Sequence, residues 1–65
     1  MPIITIEGGK LEPDTKRKLV AELTEVASRN MGIPAPAFVV IMHENPPDNV
    51  GVGGEQLSDR HVGGG

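Results

Sequence analysis

The chain opens with a short run of β-branched residues, which predicts a first strand. Residues 3–6 read Ile-Ile-Thr-Ile and are followed by Gly8 and Gly9, and such a run closed by glycines is typical of a strand. Pro2 stands at the start of this strand, where the backbone N–H that proline lacks costs least. Lys10 falls in the loop that follows.

Apolar residues then recur with the spacing of an amphipathic helix. The apolar face consists of Leu19, Val20, Leu23, Val26 and Ala27. Pro13 suits the first helical turn, and Gly32 is a typical residue just past a helix end. The pattern predicts a helix over about residues 13–31. Its polar residues, Lys16 and Ser28 among them, are expected to face water.

A second strand is predicted where residues 37–42 form a continuous apolar run, the pattern of a strand buried on both faces. Alternation along the strand gives two faces, Phe38, Val40 and Met42 on one and Val39, Ile41 and His43 on the other. One helix can cover only one face, so the other is expected to meet a second chain. Strand, helix and strand make a β-α-β unit with two parallel strands.

Beyond a Pro- and Asn-containing turn over residues 44–49, the glycine-rich segment Val50–Gly54 predicts a small hairpin. A dinucleotide-binding loop beginning at Gly51 requires glycine or alanine where Gln56 stands, and a Walker phosphate-binding loop requires a Gly-Lys-Ser/Thr sequence, which the chain lacks. The glycines are therefore interpreted as turn residues.

The interpretation is one α+β domain over residues 1–65, with an ordered core over 2–60 and a flexible tail over 61–65.

Composition limits what such a small chain can do alone. The 65 residues include no cysteine, so disulfides cannot reinforce a core that rarely supplies more than about 3–5 kcal/mol at this size. Association with further copies is therefore expected. A net charge of −3 and Phe38 as the only aromatic residue argue against nucleic acid as a partner. With no apolar run of membrane-spanning length and no signal-peptide pattern, the chain is expected to be cytoplasmic.

The strongest candidate for chemistry is the amine of Pro2. Neither His43 nor His61 has the spacing of a metal site, and no nucleophilic serine or cysteine motif is present. Removal of Met1 would leave Pro2 with a free secondary amine. An apolar pocket or a nearby cation disfavours the charged form of an amine, and a neutral amine can take a proton from carbon beside a carbonyl.

Several segments together resemble the 4-oxalocrotonate tautomerase family, most closely its short DmpI-type members. They are residues 1–6, the loop at 9–10, the helix, residues 40–44 and residues 50–55. The resemblance covers roughly residues 2–60. It implies a β-α-β subunit with a short C-terminal hairpin, assembled as a homohexamer (a trimer of dimers) with active sites at subunit boundaries. It also implies that no cofactor is used.

The same resemblance assigns roles to four residues. Pro2 corresponds to the general base, and Lys10 is the nearest counterpart of an arginine that binds the substrate. Val39 stands where well-known members have a second arginine, and Val50 stands where they have an aromatic residue. Both valines keep the pocket apolar but leave the 4-oxalocrotonate substrate unassigned. Arg60 and His43 of a neighbouring subunit are candidates for supplying the missing polar group.

The leading hypothesis is a tautomerase that moves a proton between keto and enol forms of a small 2-oxo or 2-hydroxydienoic acid. One alternative keeps the scaffold and Pro2 but decarboxylates, hydrates or dehalogenates. Another is a non-catalytic oligomeric protein. A remote one is a ubiquitin-like sulfur carrier, suggested by the glycines at 63–65. Activity requires that Met1 be removed, because an acylated proline nitrogen is not basic.

Overall fold

The computed structural model of the chain describes residues 1–60, so the predicted flexible tail lies outside the described part. Within residues 1–60, five regular elements follow one another, with three short 3-10 turns between or after them. They are β1 (Ile3–Gly8), α1 (Pro13–Met31), β2 (Val39–Glu44), β3 (Gly51–Val52) and β4 (Glu55–Gln56). The predicted α+β class is confirmed.

β1 and β2 form a parallel pair, with α1 as the connection between them. The register runs from Ile3 beside Val39 to Gly8 beside Glu44. Residues opposite each other therefore share a face of the sheet, because successive side chains alternate between faces. The predicted β-α-β unit is confirmed, and β1 proves two residues longer than the Ile-Ile-Thr-Ile run indicated.

The bounds of α1 follow from the residues at its two ends. Pro13 occupies the first turn, where its missing N–H has no intrahelical partner to lose. Asp14 adds a negative charge near the positive end of the helix. At the other end Gly32 adopts a left-handed conformation (φ 69°), and its N–H bonds the carbonyl of Ser28 at 3.0 Å. The predicted helix over residues 13–31 is confirmed.

Two polar residues of α1 that were expected to face water are instead half-buried. The Ser28 hydroxyl donates a hydrogen bond to the carbonyl of Ile33 at 2.5 Å, just beyond the helix. The Lys16 ammonium pairs with Glu44 at 2.9 Å. Both predictions were wrong because the helical pattern does not reveal partners outside the helix.

The start of β2 also differs from the prediction. The apolar run begins at Ala37, but Ala35–Ala37 forms a 3-10 turn that Phe38 closes by donating its N–H to the carbonyl of Ala35 at 3.0 Å. β2 therefore begins at Val39 and extends to Glu44. Phe38 lies just outside the strand.

The predicted glycine-rich hairpin is formed by β3 and β4, which pair in antiparallel fashion. Gly53 and Gly54 connect them with φ values of 60° and 85°. A two-residue turn with positive φ at both positions matches the right-handed twist of the strands, and glycine adopts it without steric cost. The N–H of Leu57 bonds the carbonyl of Val50 at 2.8 Å and continues the pairing beyond the two strands.

No side chain in residues 1–60 is fully buried. The sheet face toward α1 is half-buried and carries Ile4, Ile6, Val40 and Met42. The opposite face has no cover, so Ile3 is 55% exposed and Ile41 40%. The radius of gyration is 15.1 Å, against about 11 Å for a compact domain of this length. These observations support the expectation that another chain covers the open face.

No helix within the described residues combines the length and the apolar character that crossing a bilayer requires.

The open face predicts a mutation that affects self-association. Ile41→Lys places a charge at the centre of this face, and burying a charge without a partner is strongly unfavourable. We expect sedimentation velocity to show a lower molecular mass for this variant than for the wild-type protein at equal concentration. Thr15→Lys adds the same charge at an exposed helical position and serves as the control. An unchanged mass for Ile41→Lys would show that this face is not an interface.

Candidate active site

One pair of the predicted site residues lies at the start of the sheet. Pro2 precedes β1, and its carbonyl accepts the N–H of Val39 at 3.0 Å. The Pro2 ring is half-buried, whereas Met1 is 85% exposed. Val39 itself lies beside Ile3 on the open face. The carbonyl of Pro2 is thus fixed to the sheet, while its nitrogen lies at the sheet end, toward the exposed Met1.

The other pair lies at the far end of β1, where Lys10 and Val50 line a common cleft of about 540 Å³. Clefts of this size are typical of small-molecule sites. Its remaining lining residues are Glu7, Gly8, Gly9, Asn45, Pro47 and Leu57. The cleft therefore combines one cationic side chain with apolar walls from the segment before the hairpin and from Leu57.

A single chain does not bring Pro2 and Lys10 together. They lie at opposite ends of β1, which has six residues and spans roughly 20 Å at about 3.3 Å per residue. No small substrate contacts both groups across that distance. A site that uses both residues requires two copies of the chain.

Glu44, at the end of β2, connects the sheet to the loop that carries Lys10. Its Oε2 accepts the N–H of Leu11 at 2.9 Å and pairs with the Lys16 ammonium at 2.9 Å. The Leu11 N–H first, and then Lys16, hold the pKa of the Glu44 carboxyl below its ordinary value. The charged carboxylate thus stabilises both the loop and the first turns of α1.

A second polar group lies on the open face at the same end of the sheet. Glu7 and His43 are register partners, and His43 Nδ1 contacts Glu7 Oε2. The amide of Asn45 donates to Glu7 Oε1 at 2.9 Å. Asn45 first, and then His43, lower the pKa of the Glu7 carboxyl. His43 therefore has a partner in its own chain.

Arg60, the other candidate for the missing polar group, also has a partner in its own chain. Its Nε donates to Glu55 Oε1 at 2.8 Å, and both side chains are partly exposed. A substrate carboxylate would have to compete with Glu55 for this guanidinium. The described part of the chain thus leaves Lys10 as the cation in the cleft.

The sequence pattern missed Glu44 and Asn45, although one signal was present. Strand alternation places Glu44 on the same face as Val40 and Met42, toward α1. A carboxylate on that face needs a partner from the helix, and Lys16 lies in its first turns. For the Asn45 side chain no pattern was available, because its partner Glu7 lies 38 positions away.

Residues 1–60 contain no group of three or more acidic, histidine or cysteine side chains that could hold a metal ion. What the arrangement offers is a secondary amine after removal of Met1, a lysine in a partly apolar cleft, and carboxylates already engaged in hydrogen bonds. These groups suit binding of an anion and movement of a proton.

A β-α-β unit followed by a small glycine hairpin agrees with the tautomerase class that the sequence resembles. The family described as tautomerase enzyme matches residues 2–60. The chain therefore belongs to the tautomerase family, and the resemblance noted from sequence is confirmed. The fold, in which β1 leads through one loop into α1, favours this family over the ubiquitin-like carrier; the glycines at 63–65 that suggested a carrier lie outside the described residues.

Similar proteins match over nearly their whole length. A probable tautomerase of Listeria monocytogenes serovar 1/2a is 41% identical over 61 residues, covering 91% of this chain and 98% of that protein. The crystal structure of DmpI from Archaeoglobus fulgidus has a TM-score of 0.82 at 40% identity, covering 89% and 100% of the two chains. A 4-oxalocrotonate tautomerase homologue has a TM-score of 0.84 at 35% identity, covering 95% and 100%.

The lowered pKa values of Glu7 and Glu44 predict an acid-side loss of stability. A carboxyl whose folded-state pKa lies below its unfolded-state pKa contributes stability that is complete above the unfolded value. That contribution is lost as the pH falls through the folded value. We expect the urea midpoint to fall as the pH drops below about 4.5, the ordinary value for both groups.

Glu7→Gln should show a smaller decline between pH 5 and pH 3 than the wild-type protein, since one of the two linked groups is gone. Glu22→Gln, at an exposed helical position, should retain the wild-type decline. Equal declines in all three proteins would contradict a role for Glu7.

Proposed function

We propose that the protein is a tautomerase in which Pro2, freed by removal of Met1, is the general base. It moves a proton between the keto and enol forms of a small 2-oxo or 2-hydroxydienoic acid. The observation that carries the proposal is the placement of Pro2, whose carbonyl is bonded to Val39 while its nitrogen lies beside an exposed residue. Membership of the tautomerase family supports it.

The amine of Pro2 suits this task because the reference pKa of an α-amino group lies close to neutral pH. An α-amino group titrates near 7.7–8.0 as a rough reference, and partial burial in apolar surroundings favours the neutral form further. The neutral amine takes a proton at one end of the conjugated acid and returns it at the other. The pyrrolidine ring limits rotation, which keeps the nitrogen in one position.

Lys10 is proposed to bind the carboxylate of the substrate or the oxygen that becomes negative as the proton leaves. It does so as a point charge, since a lysine lacks the bidentate geometry of arginine. Val50 supplies an apolar wall of the cleft, and Val39 lies next to Pro2. With valine at both positions, the substrate is expected to need only one cationic contact.

The working site is proposed to lie between two chains, with Pro2 from one and Lys10 from the other. The separation of the two residues along β1 supports this arrangement, as does the uncovered face of the sheet. A homohexamer built as a trimer of dimers satisfies both requirements. In such an assembly each subunit contributes Pro2 to one site and Lys10 to a different site.

The first test is replacement of Pro2 by alanine in protein whose N-terminus is checked by intact mass. General acid–base catalysis contributes about 10²–10⁴-fold, so we expect kcat/KM for enol-to-keto conversion to fall by at least about 10²-fold. Pro36→Ala, in the turn before β2, is the matched control and should retain activity. Protein that keeps Met1 should be inactive as well. Full activity in processed Pro2→Ala would overturn the proposal.

Subunit mixing tests whether Pro2 and Lys10 act in one site from different chains. Pro2→Ala and Lys10→Ala chains, each expected to have a much lower kcat/KM than the wild-type protein, are mixed in equal amounts after unfolding and refolded together, and kcat/KM is measured. Random assembly leaves both intact residues in about a quarter of the sites, so about a quarter of the wild-type activity should return. If one chain supplied both residues, no activity would return.

The matched control mixes wild-type chains with chains that carry both substitutions. Shared sites predict about a quarter of the wild-type activity here too, whereas sites within one chain predict about half.

A further inference from the structure

We infer that Glu44 is a positioning residue, whose carboxylate fixes the loop that presents Lys10 to the substrate. The inference rests on the proposed function and takes the first of its two alternatives for Lys10, which is binding of the substrate carboxylate. It concerns a residue that does not itself contact the substrate and acts through the backbone of Leu11.

The connection is direct because Leu11 immediately follows Lys10. Its N–H belongs to the peptide group that begins at the Lys10 carbonyl, and it donates to Glu44 Oε2 at 2.9 Å. Fixing this peptide fixes the direction in which the Lys10 side chain leaves the backbone. The bond joins residues 33 positions apart, so it ties the loop to the end of β2 rather than to its own neighbours.

The loop needs this connection because its own residues provide little restraint. A Cβ at Gly8 or at Gly9 would meet nothing within 4 Å, so the space beside these two positions is open, and glycine has the greatest conformational freedom of all residues. The carbonyl of Gly8 accepts the N–H of Asn45 at 2.7 Å, which anchors one side of the loop. The Leu11–Glu44 bond anchors the other side and leaves only Gly9 and Lys10 between the two anchors.

Glu44 forms its ion pair with Lys16 and not with Lys10. The Lys16 ammonium lies 2.9 Å from Oε2, and both side chains are 35% exposed, so this carboxylate already has its cation. Within residues 1–60 Lys10 has no ion pair. The Lys10 charge lies near enough to help lower the pKa of the Glu44 carboxyl, after the Leu11 N–H and Lys16. Because Lys10 forms no ion pair within these residues, its ammonium remains available to an anionic substrate while its backbone is held.

The test compares an enol of a 2-oxo acid with the methyl ester of the same compound, which lacks the carboxylate charge. For Glu44→Ala we expect KM for the acid to rise about tenfold, the effect of losing a hydrogen bond to a charged group, with kcat within about twofold. KM for the ester should remain at the wild-type value. A general loss of structure would instead raise KM for both substrates or lower kcat for both.

Two conservative variants separate the roles of the two bonds. Glu44→Gln retains an oxygen that accepts the Leu11 N–H, so it should restore most of the wild-type KM. Lys16→Met leaves the Leu11–Glu44 bond intact and should change KM for the acid by less than about threefold. Glu25→Ala removes the same charge from an exposed helical pair with Arg29 and should match the wild-type protein.

If Glu44→Ala does not fold, Glu44→Asp gives the same comparison, since it keeps the charge but shortens the side chain by one methylene. It should then show the rise in KM for the acid.

A readout without substrate follows from the same geometry. Amide hydrogen exchange of Leu11, observed by NMR at constant pH, should become at least about tenfold faster in Glu44→Ala because the amide loses its acceptor. In Glu44→Gln and Glu25→Ala it should remain close to the wild-type rate. Unchanged exchange in Glu44→Ala would overturn the inference whatever the kinetics show.

The outcomes also distinguish the inference from the proposed function. A Pro2-dependent activity with an unchanged KM for the acid in Glu44→Ala would overturn the inference alone. An activity that does not depend on Pro2 would overturn the proposed function, and with it the role of Lys10 on which the inference rests.

Discussion

The parallel pairing of β1 with β2 is the constraint on which the rest of the molecule depends. Parallel strands cannot be joined by a tight turn, so a crossover is needed, and here it is α1. A single crossover helix covers one face of the sheet and leaves the other without a partner. The same pairing places the start of β1 and the loop after it at opposite ends of the sheet. Incomplete burial and a divided candidate site thus have one cause.

The polar contacts that organise this sheet lie together at the end of β2. Three consecutive residues, His43, Glu44 and Asn45, each contact β1 or the loop after it. Alternation directs the first two to opposite faces, so one polar group lies on the open face and the other lies beneath α1. Both groups are partly exposed, and each ion pair alone contributes little. Their combined effect is to fix where the loop leaves the sheet.

Much of the fold was predictable because its signals are local. Pro13 and Gly32 mark the ends of α1, and the two glycines at 53 and 54 mark the hairpin turn. The start of β2 was not predictable from hydropathy, because the 3-10 turn at Ala35–Ala37 interrupts an apolar run without changing its composition. The pairing of Lys16 with Glu44 depends on how the helix lies on the sheet, which the spacing of residues within either element does not encode.

The bond between Pro2 and Val39 has a consequence for the proposed removal of Met1. It uses the carbonyl of Pro2, and proline contributes no N–H to the sheet. Cutting the peptide bond to Met1 therefore removes no backbone hydrogen bond from the sheet and little packing, given that Met1 is 85% exposed. The cut changes a tertiary amide into a basic amine without altering what holds the strand in place. The hydrogen bond that anchors the start of β1 would therefore be the same before and after removal of Met1.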